Sequence, residues 1–384
     1  MASSNRDNIN AFFYLLRAGL WSGSNNKSLS SYDKSLLSES VDYKEIYRIA
    51  REQTVLGVVA DGISRTVGIA KGISEDEMGQ VMGEIIYLEM LNSEMNSFIR
   101  DLITKMNAAG IYTLIVKGQG IAQCYDKPQW RAVGDVDLFL DAENYEKDKI
   151  FIEPIAKPCE DEDKRRMHAC YTMGDKTVEL HGTLYSGLSK RIDNVIEEVQ
   201  RDTFENKKVR IWKNGDVEVP LPAIDNDLIF IFSHIIQHFY KEGVGLRQLC
   251  DWCRFLFTYK GQFDLHLLEN RLKEMKVMTE WKVFGVIAVE RLGLPEDAFP
   301  FYEVSSRYRR KAEKVLKVIL EVGNFGHNRD KSYFKKHSYL VRKAISLWKN
   351  GGYIVHNIGI FPANSLKYLP RFLFGGFRAT AKGK

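Results

Sequence analysis

The chain has 384 residues, 45% hydrophobic and 27% charged, with a net charge of +5 from 55 Lys and Arg against 50 Asp and Glu. That balance excludes a mainly disordered chain and gives room for two or three folded regions. The small basic excess suits a polyanionic ligand such as a nucleotide without requiring nucleic acid.

No apolar run approaches the roughly 20 residues that cross a bilayer. The longest, Leu228 to Ile236, is interrupted by Ser233 and His234. The N-terminus, Met1 to Asp7, has no apolar core behind a basic start, so no signal peptide is expected and the cytoplasm is the expected location. Five scattered Cys argue against a disulfide framework. Cys250 and Cys253 form a C-x-x-C pair without a second pair, within a helical pattern of Leu249, Trp252, Phe255 and Leu256, which reads as core packing.

Residues 1–108 form a first region, expected to be helical. Asn8 to Trp21 is apolar at helical spacing (Phe12, Leu15, Leu16, Leu20), Ser22 to Ser31 reads as a loop, and Val41 to about Val67 returns to helix. Ser74 with Glu77 resembles a capping box for a long helix through Val81, Ile85, Leu88 and Leu102, ended near Gly110.

The pattern changes in a second region, residues 109–222. Ile111 to Val116 and Val136 to Leu140 are short β-rich runs, with a helix expected from about Glu143 to Ile152. His168 to Met173 and Lys176 to Leu184 flank Gly174-Asp175, and Val209 to Trp212 and Val217 to Val219 flank Asn214-Gly215; both read as hairpins. This is an α/β stretch with a mixed sheet. The third region, residues 223–384, is helical again, with elements expected near 225–240, 245–259, 263–275, 277–291, 305–322 and 335–349. The basic and aromatic tail from Leu366 to Arg378 is expected to pack on these helices.

Chemistry concentrates in the second region. Asp135 and Asp137 alternate with Val136 at the start of a buried strand, so both carboxylates project from one face. Adjacent carboxylates repel unless a cation lies between them, and Mg²⁺ takes one or two carboxylates together with substrate phosphates. Upstream, a strand ends at Lys117-Gly118 and a helix begins at once, with Gly118 and Gly120 permitting a tight turn. Free N–H groups there could meet a triphosphate. Glu179, in Thr177-Val-Glu-Leu-His181, offers a third carboxylate if its strand neighbours the first, either as a metal ligand or as the base for an acceptor hydroxyl.

These residues resemble the nucleotidyltransferase superfamily that includes DNA polymerase beta, and in particular a poorly characterised bacterial branch of it. Lys117-Gly118-Gln119 stands for the Gly turn, Asp135-Val136-Asp137-Leu138 for the paired carboxylates, and Glu179 for the third. Tyr125, Arg131, Glu179-Leu180-His181, and Arg247 with Asp251 are similar to the bacterial branch. Gln119 stands where the superfamily carries a small residue, and the gap from there to Asp135 is longer than its pattern.

The resemblance implies an α+β fold: a mixed-sheet nucleotidyltransferase core with N-terminal helices and a C-terminal helical domain. It implies a Mg²⁺-dependent enzyme, with two ions, that moves a nucleoside monophosphate from an NTP (ATP foremost) to a small-molecule, sugar or protein hydroxyl and releases pyrophosphate. Asp135, Asp137 and Glu179 are then the catalytic and metal-binding residues. Lys117, Gly118, Gln119 and Arg131 bind nucleotide, while His181, His234 and His238 stand behind them. His234 and His238, four apart on one helix face, lack the Glu and third ligand of a zinc helix. Two alternatives share this fold: a nucleotide-binding or regulatory protein without turnover, and a phosphotransferase.

Overall fold

The computed structural model describes residues 2–21, 34–37, 41–66, 73–241, 243–323 and 357–368. The expected Ser22–Ser31 loop, the helix near 335–349 and nearly all of the basic and aromatic tail lie outside them.

Among the described residues four α-helices come first: α1 (Ala2–Leu20), α2 (Tyr43–Glu52), α3 (Leu56–Arg65) and α4 (Glu75–Ala108). The single helix expected over 41–67 is two. The chain breaks at Gln53 to Val55, where Thr54 adopts φ 54°. The side-chain amide of buried Gln53 donates to the Ile319 carbonyl and accepts from Leu246 N–H, which ties the break to the later helices. The capping box forms as read: Glu77 N–H donates to Ser74 Oγ and Ser74 N–H to Glu77 Oε2.

The centre is a mixed sheet of β1 (Leu114–Val116), β2 (Val136–Phe139), β3 (Lys157–Pro158), β4 (His168–Met173) and β5 (Lys176–His181), in the order β1-β2-β5-β4-β3. β2 runs parallel to β5, and the other neighbours are antiparallel. A single turn, α5 (Gly118–Ala122), follows β1, and α6 (Ala142–Ile152) follows β2. Between the hairpins lies α7 (Lys190–Phe204), which the strand pattern around it does not announce. It is capped by Ser189 and buries Ile192, Val195, Ile196 and Val199, a helical spacing.

β6 (Val209–Asn214) and β7 (Val217–Pro222) form a separate two-stranded sheet. Asn214 pairs with Val217, so the turn residues are Gly215 and Asp216, one position later than expected from Asn214-Gly215. The helices α8 (Ile224–Lys241), α9 (Leu246–Thr258), α10 (Leu265–Met275), α11 (Met278–Val286) and α12 (Ser306–Val322) follow. Shorter turns lie at 357–360 and 362–368.

Alternation along the strands divides the sheet into two faces. Ile115, Val136, Leu138, Val178, Leu180, Ala169 and Tyr171 join one core with the C-terminal half of α4. Leu114, Val116 and Phe139 face the opposite way, into a larger core holding α1, α3, α8, α9 and α11. The helices before and after the sheet therefore bury side chains together. Trp21 Nε1 donates to the Leu292 carbonyl across the two. The described fold is α+β, as expected, with a mixed sheet between N-terminal and C-terminal helices. Cys250 and Cys253 are fully buried in α9, in keeping with packing.

Candidate active site

The second sheet face carries the polar residues. Asp137 sits opposite Glu179 across the parallel β2–β5 pair, so the strand neighbour that the sequence left conditional is present. Asp135, just before β2, completes the group. Oxygens of Asp135, Asp137 and Glu179 all lie within 4.8 Å of one another. These carboxylates line a cavity of about 380 Å³ together with Lys117, Gly118, Arg131 and Arg247. Three converging carboxylates are a hard-oxygen donor set of the kind Mg²⁺ takes, so the residues present fit that ion.

Electrostatics describe the same crowding. The charge of Asp137, and then burial, raise the Asp135 carboxyl above its ordinary range. Burial also pushes Asp137 upward, but Lys117 and His181 outweigh it and hold Asp137 low. Lys117 Nζ lies 2.7 Å from Asp137 Oδ1, and His181 Nε2 lies 2.7 Å from the same oxygen. Burial opposes the charge of Lys117, yet Asp137, Asp135 and Glu179 together raise it above the usual lysine value. Glu179 is held low despite burial by hydrogen bonds from His168 and His181.

Lys117 itself has φ 59° and ψ −144°, a conformation that L residues seldom adopt. Gly118, at φ 41°, follows it, and a Cβ there would sit 3.5 Å from the Asp135 carbonyl. The tight turn expected from the glycines is therefore shared by the lysine that carries the charge. α5 is only five residues long, so its N–H groups supply local donors rather than a long helix dipole.

Two expected nucleotide contacts are placed differently from a simple cation or amide in the cleft. Gln119 is buried, and its Nε2 donates to Asn92 and Asn96 of α4, away from the cavity. Arg131 does reach the cavity wall, but its Nε and Nη2 each donate at 2.7 Å to the two oxygens of Asp251. Tyr125 donates to the same carboxylate. This bracket ties the loop before β2 to α9. Arg247, one turn before Asp251, also lines the cavity, and its Nη1 donates to the Ala132 carbonyl at 3.4 Å. Burial, and then the charge of Arg131, lower its pKa. His234 and His238, with ring centroids 4.2 Å apart, roof the cleft from α8. Burial and the charge of Lys117 push His234 well below its ordinary range, which keeps it neutral at pH 7.

His168 is the cleft residue that sequence reasoning passed over. Its signal was available: it lies on the face opposite Ala169, on the strand that pairs with the one carrying Glu179 and His181.

Residues 39–293 match the model of a family described as uncharacterised nucleotidyltransferase. The chain belongs to that family. Every cavity residue named here, from Lys117 to Asp251, falls inside the match, and α12 lies beyond it. No curated protein and no solved structure matches the chain. No helix among the described residues is long and apolar enough to cross a membrane.

Proposed function

We propose that this protein is an enzyme that transfers a nucleoside monophosphate from an NTP, ATP foremost, to a hydroxyl acceptor with release of pyrophosphate. The observation that carries the reading is the convergence of Asp135, Asp137 and Glu179 within 4.8 Å on one wall of the cavity. Mg²⁺ held there, as two ions, would acidify the acceptor hydroxyl and neutralise charge on the phosphate oxygens.

The chain's own residues have distinct tasks. Lys117 exchanges its contact with Asp137 for one with the nucleotide phosphates, carrying a full positive charge to them. Gly118 lets the backbone approach those phosphates closely. Arg131, locked by Asp251, fixes the loop that presents Asp135 and adds its field to the anion site. Arg247 adds a second guanidinium on the same wall. His181 donates to Asp137 and Glu179 and so orients both carboxylates. The acceptor is a small molecule, sugar or protein reached from the α8 side.

The Lys117–Asp137 ion pair also favours a second reading, a protein that binds nucleotide without turnover, because the lysine already satisfies the carboxylate. A nonhydrolysable NTP panel with and without Mg²⁺, run on wild type and Asp135→Asn/Asp137→Asn, tests the site. Metal-dependent binding lost in the variant supports it, and equal, metal-independent binding by both proteins sinks it. Product analysis then separates the readings. Pyrophosphate indicates nucleotidyl transfer, nucleoside diphosphate indicates a phosphotransferase, and neither indicates a binding protein.

A further inference from the structure

Past Glu179 the cleft continues into a second cavity of about 360 Å³, which shares Lys117, Glu179, His234 and His238 with the first. A strip of β4 and β5 lines it. The antiparallel register sets His168 directly opposite His181, and Glu179 precedes His181 by two residues on the same face. His168 Nε2 and His181 Nε2 each lie 3.3 Å from Glu179 Oε2. The imidazole centroids are 4.9 Å apart, and donor atoms of all three residues lie within 4.8 Å of one another.

The spacing is informative. A charge-assisted N–H···O bond has a length of about 2.7–2.9 Å, and the His181–Asp137 contact at 2.7 Å is of that kind, so a cation bound at His181 Nε2 takes the place of that proton, which is released to solvent, and the Asp137 contact is given up. The two contacts to Glu179 are longer. Donors held about 2.0–2.1 Å from one tetrahedral ion stand about 3.3 Å apart, which is the separation seen on both edges. Two imidazoles with one carboxylate also differ chemically from the all-oxygen group beside them. Nitrogen donors favour borderline ions such as Zn²⁺, whereas Mg²⁺ prefers oxygen alone.

We propose that His168, Glu179 and His181 form a binding site for a borderline divalent cation of the Zn²⁺ class. All three residues line the second cavity, and the site shares Glu179 with the Asp135–Asp137 pair. The site needs only these three donors and does not rest on the transfer reaction.

The test uses the full chain without a polyhistidine tag, stripped with chelator and titrated calorimetrically with Zn²⁺ alone. The expected result is one tight Zn²⁺ per chain that excess Mg²⁺ does not displace. His168→Ala should weaken it on the order of 100-fold, while Asp135→Asn leaves it within the error of the titration. Co²⁺ in place of Zn²⁺ should give the intense visible bands of a four-coordinate nitrogen–oxygen site, lost in His168→Ala. His168 is partly exposed, so the substitution spares the core, and His168→Gln keeps the bulk as a second variant. Absence of Zn²⁺ binding would overturn the proposal. So would unchanged affinity in both His168 variants, equal competition by Mg²⁺, or equal losses in Asp135→Asn and His168→Ala. Loss of nucleotide binding in Asp135→Asn with Zn²⁺ retained separates this site from the transfer reading.

Discussion

Lys117 Nζ lies 2.7 Å from Asp137 Oδ1, so under the proposed function the cation offered to a phosphate is the counter-ion of a carboxylate offered to a metal. One side chain thus links the two halves of the site. The same residue carries a strained backbone φ of 59° at the turn.

Replacing Lys117 by Met should therefore have opposite effects on the two ligands. Nucleotide affinity is expected to fall roughly tenfold or more, from loss of a charge-assisted hydrogen bond of about 1.5–3 kcal/mol. Affinity for Mg²⁺ alone should rise, because the competing cation is gone. Thermal unfolding in chelator should shift down from carboxylate repulsion and recover with Mg²⁺. A parallel loss of both affinities would show that Lys117 only supports the fold.

Arg131 and Asp251 form a buried bidentate pair 120 positions apart in sequence. Removing either partner leaves a buried charge uncompensated. Asp251→Asn or Arg131→Met should cost about 3–5 kcal/mol in urea unfolding. The double variant should cost clearly less than the sum of the singles, the signature of direct coupling. Additive losses would mean that each residue stabilises the loop and α9 separately.

Asp148, fully buried in α6, has neither carboxylate oxygen hydrogen-bonded, and burial raises its pKa from 3.8 to about 7. Between those values the unfolded chain has lost its proton while the folded chain keeps it. Folding stability from this group therefore falls as pH rises through that window, and the loss is complete above it. Asp148→Asn should flatten the dependence. The Tm of the variant relative to wild type is expected to increase from about pH 5 to about pH 8, by an amount corresponding to a few kcal/mol. A difference independent of pH would show that Asp148 does not titrate in this range.

α1 and α3 meet backbone to backbone. A Cβ on Gly62 would run into the Leu15 carbonyl, and one on Gly19 into the Val58 carbonyl. Neither glycine has a positive φ, so close approach is the constraint. Gly62→Ala should cost about 1–3 kcal/mol or more by overpacking. Gly79→Ala, in open space on α4, should be neutral or stabilising. Equal Tm values for the two variants would contradict the tight crossing.

The sequence by itself determined the local rules of this site. Period-two alternation places Asp135 with Asp137, and Glu179 with His181, on shared strand faces whatever the strands pack against. Ser74 and Glu77 cap α4 through contacts three residues apart, and Gly174 turns the β4–β5 hairpin at φ 64°. The mixed sheet with helices before and after it was legible for the same reason, since periodicity is a short-range signal.

Tertiary structure alone decided which faces meet. The parallel β2–β5 pairing joins Asp137 to Glu179, and no turn between them encodes it. Gln119 turns toward Asn92 and Asn96 because α4 passes behind the Gly turn. Arg131 is bracketed because α9 brings Asp251 to it. His168 enters the cleft through its register with His181. Each relation depends on the packing of elements far apart in the chain, and spacing along one strand or helix carries no record of the neighbour across it.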